Sequence, residues 1–116
     1  MSALTASQAL ALAQQYLHGR GARILDSAPD GPGGQPVILA ADSHVLVTCH
    51  VSTGTRHSPA PCTLTSPVLR QLRQLATGWL AARRMRSGQQ RTSIIAVTSG
   101  GPGGCTLDHI KGVNQP

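Results

Sequence analysis

The chain is 116 residues long and carries a formal net charge of +6, from nine arginines and one lysine (Lys111) set against four aspartates and no glutamate. Hydrolysis of phosphates usually calls on clustered carboxylates, as hard oxygen ligands for magnesium or as general bases, so Asp26, Asp30, Asp42 and Asp108 alone leave most such chemistry short of acid. The composition favours holding a polyanion over cutting one, although the excess of Arg over Lys also fits a GC-rich genome and part of the basicity is discounted for that reason.

The length suits one domain, 1–116, with the tail from about residue 112 expected to be flexible. With no Phe, one Tyr (Tyr16) and one Trp (Trp79), the core has to be built from Leu, Val, Ile and Ala. No apolar run is long enough to span a membrane, and the N-terminus lacks the pattern of a signal peptide. Cys49, Cys62 and Cys105 form no CxxC pair, which points to reduced thiols and a cytoplasmic protein.

Residues 2–19 predict a first helix, with Leu10, Ala13, Tyr16 and Leu17 on one face, Thr5 or Ser7 as N-cap and Gly19 or Gly21 as stop. A short strand is expected over 22–26, then a turn over 29–34 (PDGPGG). Two apolar runs, 36–41 and 45–51, are separated by Ala41-Asp42-Ser43-His44 and read as a hairpin. Residues 53–62 read as an irregular loop. Ser66 as cap and Pro67 as first helical residue open a second helix, expected to run to about Ser87-Gly88. A buried strand over 94–98, a loop over 99–104 and a last strand over 105–110 complete the chain. GPGG at 31–34 and 101–104 lacks matching flanks and is no repeat; neither copy has the Lys-Ser/Thr tail of a phosphate-binding loop.

In the second helix Leu69, Leu72, Leu75, Ala76, Trp79 and Leu80 gather on one side, ready to pack on a sheet. Arg70, Arg73, Thr77 and Arg84 fall within about 60° of each other on a neighbouring face, with Arg83 and Arg86 near the end. This is either a phosphate-contacting stripe or a solvated face that complements the helix dipole. No aromatic residue interleaves the arginines, so base stacking is not expected there.

With these segments in place, the chain resembles the YraN-type family of small predicted endonucleases, related to archaeal Holliday-junction resolvases. Ala13, Tyr16-Leu17, Gly21 and Ile24-Leu25-Asp26 match its opening helix, glycine and strand. Gly34-Gln35-Pro36-Val37-Ile38-Leu39-Ala40 stands where the family has G-E-[IL]-D-[LV]-I-A, and Val45 to Ser52 stands where it has V-F-V-E-V-K-T-R. Leu64-Thr65, Arg70, Leu72-Arg73-Gln74-Leu75-Ala76 and Trp79-Leu80-Ala81 match its second helix. Leu107 to Asn114 matches a closing L-T-H-L-Q-G-V-G. The resemblance covers nearly the whole chain, is most specific in the second helix and the C-terminal motif, and implies a restriction-endonuclease-like α/β core: α-β-β-β-α-β, a small mixed sheet flanked by two helices.

The resemblance also implies a metal site, and here its positions are degenerate. The family's metal-binding Asp is Val37, its E-V-K carboxylate and lysine are Thr48 and His50, its Glu beside the first of these is Gln35, its helix-1 Glu is Leu10, and a lysine early in helix 2 is Val68. Gln and Thr are neutral and Val has no oxygen, so two-carboxylate magnesium chemistry has no ligands. The expectation is a retired active site with no cofactor, and sequence-independent binding of DNA or RNA through Arg56, His57, Arg70, Arg73 and Arg84. Two rivals stand beside it. One is an active endonuclease that holds Mg²⁺ on relocated ligands (Asp42, Asp26 or His50). The other is a non-enzymatic module whose helix surface docks a partner protein or a second copy, as a homodimer. A zinc site from Cys49, His50, Cys105 and His109 has suitable residue types but poor spacing, because neighbours on a strand face opposite ways. Nucleophilic catalysis by Cys49 or Cys62 beside His50 or His57 lacks an acidic orienting group.

Overall fold

A strand buried on both faces organises this molecule, and its alternating sequence decides what each face holds. The computed structural model describes residues 4–85, 88–101 and 104–112. Its elements are α1 (Ala6–Gly19), β1 (Arg23–Ala28), β2 (Val37–Asp42), β3 (Val45–Thr55), α2 (Ser66–Ala82), β4 (Gln90–Gly101) and β5 (Gly104–Ile110), with a 3₁₀ turn at Pro32–Gly34 between β1 and β2. The strands form one sheet in the order β1-β2-β3-β4-β5. Every neighbouring pair is antiparallel except β3–β4, which is parallel and bridged by α2. This α/β mixed sheet with two helices is the core expected from the resemblance.

Along β3, Val47, Cys49 and Val51 join Ala9, Ala13 and Leu17 of α1 in one apolar cluster, completed by Ile38, Ala40, Ile95 and Val97. The intervening Leu46, Thr48, His50 and Ser52 therefore face α2, where Leu39, Leu46, Ala76 and Leu80 pack together. Small Ala residues on α1 let that helix lie close to the sheet without any Phe. The α2 side is different in kind: Thr48, His50, Ser52 and Thr92 are 2%, 7%, 3% and 7% exposed, a row of buried polar groups in the interior.

The helices start and stop by local chemistry. Thr5 caps α1 through a capping box, its Oγ1 accepting from the Gln8 backbone N–H at 3.1 Å while Gln8 Oε1 accepts from the Thr5 N–H at 2.9 Å. Gly21, at φ +86°, ends the helix. α2 is capped by Thr65, one residue before the expected Ser66, and it ends at Ala82 rather than near 87–88. The Arg84 N–H donates to the Ala81 carbonyl at 3.1 Å and the Met85 N–H to the Leu80 carbonyl at 3.0 Å, the paired bonds of a Schellman stop. Arg84 takes φ +53° to make it.

β3 and β4 are both longer than their apolar runs. They pair continuously from Leu46–Gln90 to Thr55–Ser99, so the backbone ladder carries polar residues expected to lie in loops. The expected loop at 99–104 is reduced by the pairing of Gly101 with Gly104. Residues 102 and 103, Arg86, Ser87 and the tail from 113 lie outside the described residues. No helix among the described residues is long and apolar enough to cross a membrane.

Candidate functional site

The antiparallel register of β2 and β3 sets Val37 opposite His50 and Leu39 opposite Thr48. Paired residues project to the same side of a sheet, so Val37, Thr48 and His50 occupy adjacent places on the α2 face. On the far side of His50 and Thr48, β4 contributes Ile94 and Thr92. Gln35, just before β2, shares with His50, Ser52 and Val68 a cleft of about 380 Å³. The 3₁₀ turn closes over it: a Cβ built on Gly33 would lie 3.3 Å from the Val68 side chain and 4.0 Å from His50 Cε1. The structure thus brings four of the degenerate positions, Gln35, Val37, Thr48 and His50, to one region. Leu10 is the exception, since it packs with α1 against the opposite face and belongs to that core.

The chemistry of the region is that of neutral groups. Val37 is 3% exposed and Thr48 2%. His50 Nδ1 is buried without a hydrogen-bond partner among the described residues. Burial holds the imidazole below its ordinary value of 6.5, as expected when desolvation penalises the charged ring. Magnesium, which the fold family implies, does not fit this set: a hard dication needs anionic oxygens, and here it would meet a methyl pair, a hydroxyl, an amide and an imidazole.

Relocated ligands do not gather either. Asp26 lines a pocket of about 290 Å³ with Val37 and Trp79, but its Oδ2 accepts from Trp79 Nε1 at 3.2 Å and lies 3.9 Å from Arg83. Arg83 in turn stacks 3.9 Å from the centre of the Trp79 ring. Asp42 is bound at 3.0 Å by Arg91 at the other end of the sheet. Cys49 faces the α1 core while His50 faces α2, and burial pushes the Cys49 thiol up to about 12. His109 Nδ1 lies 3.0 Å from the Tyr16 hydroxyl. Among the described residues no three His, Cys, Asp or Glu side chains are placed to hold a metal ion.

The arginines are distributed differently from expectation. Arg70 and Arg73 are exposed on α2. Arg84 lies beyond the helix end in left-handed backbone, so it is not part of the stripe. Arg56 and His57 sit in the tight turn closed by mutual backbone bonds between Thr55 and Ser58, at the far end of β3. Arg91 was missed by sequence reasoning. It pairs with Val47 through the parallel register, so its side chain projects to the α1 face, where it meets Asp42 at 3.0 Å; on the α2 face, Arg73, Thr77, Thr92 and Thr48 line a pocket of about 300 Å³. The described lining of that pocket contains no carboxylate. Only the β3–β4 register sets Arg91 on the α1 face, and a parallel register across a long crossover leaves no local signal in sequence.

No protein-family model matches the chain. Similarity to curated proteins is nevertheless extensive. A UPF0102 protein of Mycolicibacterium vanbaalenii is 33% identical over 104 residues, 88% of this chain and 86% of its own length. One from an Arthrobacter species is 32% identical over 106 residues, 88% of each chain. Another from Frankia casuarinae is 30% identical over 103 residues, 87% of each chain. With identity at this level spread over most of both sequences, and with the motif positions meeting on one face of the sheet, the chain belongs to the UPF0102 (YraN) family.

Proposed function

We propose that this protein is a nuclease-fold family member without metal-dependent cleavage that binds nucleic acid through its phosphates, independently of sequence. The observation that carries the reading is the setting of Thr48. At the position where the family resemblance implies a metal-binding carboxylate, the surrounding pocket is lined by Arg73 and by hydroxyls, with no carboxylate in its described lining, so the local side-chain charge is positive. Such a pocket repels a divalent cation and attracts a phosphate. Arg70, exposed one helical turn before Arg73, extends the basic surface along α2, and Arg56 and His57 are exposed in a separate turn at the other end of β3. Phosphate contacts of this kind give affinity and no base readout.

Anisotropy titration of a labelled duplex or four-way junction tests the binding. Association is expected at about 50 mM salt and is expected to weaken steeply towards 200 mM, with a salt slope that becomes shallower in Arg70→Gln/Arg73→Gln. No binding at low salt and high protein concentration refutes the reading. Nicking of supercoiled plasmid with Mg²⁺ or Mn²⁺ tests the other half: none is expected, and nicking that disappears in His50→Ala would establish an active enzyme.

A further inference from the structure

A second basic pocket lies on the other side of the sheet, away from the degenerate motif. It occupies about 240 Å³ at the end of α1, where Arg20, Arg91, Lys111 and His109 converge beside Asp42. These side chains come from α1, β4, β5 and the segment after it, so only the completed fold assembles them. We propose that this pocket is an oxyanion site that takes a phosphoryl group.

Among the described lining residues, three cations face a single carboxylate there. Asp42 answers only one of them, through its 3.0 Å contact with Arg91. Like charges held together without a matching anion are costly, and a bound dianion removes that cost. The ring of His109 is oriented by Tyr16, whose hydroxyl lies 3.0 Å from Nδ1 and whose ring meets the imidazole edge-on at 5.3 Å. If Tyr16 donates to Nδ1, the proton of the neutral imidazole is on Nε2, and Nε2 is shielded with no partner among the described residues. Arg20 lies 5.4 Å from the centre of the same Tyr16 ring, which holds its guanidinium at the rim. Arg91 Nε is a further shielded donor without a partner. The pocket therefore offers fixed positive charge and unused N–H groups, the complement of a tetrahedral oxyanion.

The titration of His109 reports on occupancy. Burial, followed by Lys111, Arg20 and Arg91, holds its pKa below 6.5, opposed only by Asp42. A bound dianion adds a strong opposing charge, so occupancy raises the value.

The test follows the His109 ring resonances of the full chain through a pH titration, with inorganic phosphate or sulfate at about 10 mM against chloride of equal ionic strength. Phosphate and sulfate are expected to raise the midpoint by about half a unit or more while chloride does not. The Arg20→Gln/Lys111→Gln variant, altered only at exposed side chains, is expected to bind phosphate at least about five-fold more weakly. An equal shift in chloride, no shift at all, or undiminished binding by that variant overturns the proposal. A 5′-phosphorylated oligonucleotide and its unphosphorylated twin then separate the sources. Preference for the phosphorylated strand, lost in the variant, identifies a strand end, and equal binding of the two with phosphate still captured identifies the free anion. Because the phosphate arm contains no nucleic acid, it can succeed where the duplex titration fails, and the two readings fall separately.

Discussion

Val37 and His50 face each other across the β2–β3 pair, and the positions of a family aspartate and lysine are thereby neighbours in this chain although neither residue type is present. The places that the resemblance assigns to metal ligands adjoin here, and neutral residues fill them. Restoring one ligand alone is therefore harmful. Val37 is 3% exposed, and an aspartate there would be a buried carboxylate with Arg73 in a different pocket and Arg91 on the other face of the sheet. Val37→Asp is expected to cost about 3 kcal/mol in urea denaturation at neutral pH, from lost packing and an unpaired charge. The buried carboxyl would have a raised pKa, so the deficit should shrink as pH falls and the proton returns. The triple change Val37→Asp, Thr48→Glu and His50→Lys supplies two carboxylates and their cation together. It is expected to gain a melting temperature that rises with Mg²⁺, a response absent from the parent and from Val37→Asp.

The two shielded histidines make stability depend on pH in a definite direction. His50 and His109 are both held below 6.5 in the folded chain, mainly by burial. The unfolded chain therefore takes up protons first as the solution is acidified. Folding is favoured above the unfolded value and loses free energy as pH falls from 6.5 towards the lower folded values, where the loss levels off. Urea midpoints measured between about pH 7.5 and 5.5 should decline in the parent and decline less in His50→Gln. An equal slope in that variant would assign the effect elsewhere.

How far the sequence could be read depended on whether the signal was local. The hairpin of β2 and β3 followed from two apolar runs and the polar break between them, and the structure narrows that break to a two-residue turn in which Ser43 takes φ +58°. The cap of α1 was narrowed by sequence to Thr5 or Ser7, and the box that Thr5 closes with Gln8 three residues on decides for Thr5. The extent of β3 and β4 was not, since Thr53 to Thr55 and Gln90 to Thr92 are strand only because they pair in parallel with each other across α2. Arg91 was hidden for the same reason, and with it the basic pocket at the end of α1. The buried Thr48, His50 and Ser52 were legible only by aligning them with a family pattern, because periodicity alone assigns such residues to a solvent face.

The end of α2 shows a local signal that misled. Gly21 and Arg84 hold the same place in two Schellman stops, and only the first is a residue that accepts left-handed backbone without strain. Reading helices by their glycines finds the first and overruns the second. Arg84→Gly is expected to stabilise the fold by about 1 kcal/mol, and thermal or urea denaturation would show it. The substitution also removes a positive charge, so its effect on duplex binding separates this arginine from Arg70 and Arg73.

Gly54 and Gly78 predict opposite outcomes for one chemical change. The loop after β3 folds back so closely that a Cβ on Gly54 would fall inside the backbone of Ser58, Pro59 and Ala60. Backbone cannot swing aside as a side chain does, and Gly54→Ala is expected to destabilise by about 2 kcal/mol or more. Gly78 lies in exposed α2 with nothing within 4 Å of the same added atom. There Ala has the better helix propensity, and Gly78→Ala should raise stability by about 0.8 kcal/mol. A matched pair of denaturation curves decides both.

Thiol chemistry gives the last check, on the core itself. Cys49 is buried between α1 and the sheet with its thiol pushed up to about 12, while Cys62 and Cys105 are exposed. Only a thiolate attacks a disulfide reagent, and only one that the reagent can reach. Under native conditions at pH 8 the two exposed cysteines are expected to react with a chromogenic disulfide within minutes, and Cys49 only as fast as the fold opens. In denaturant all three should react together. Because Cys49 packs with Ala9, Ala13 and Leu17, its labelling rate follows the detachment of α1. Substituting Ala13→Gly, which removes a buried methyl group and loosens the helix, should accelerate that third reaction and leave the first two unchanged. Immediate labelling of all three in the native parent would mean that α1 does not cover the sheet.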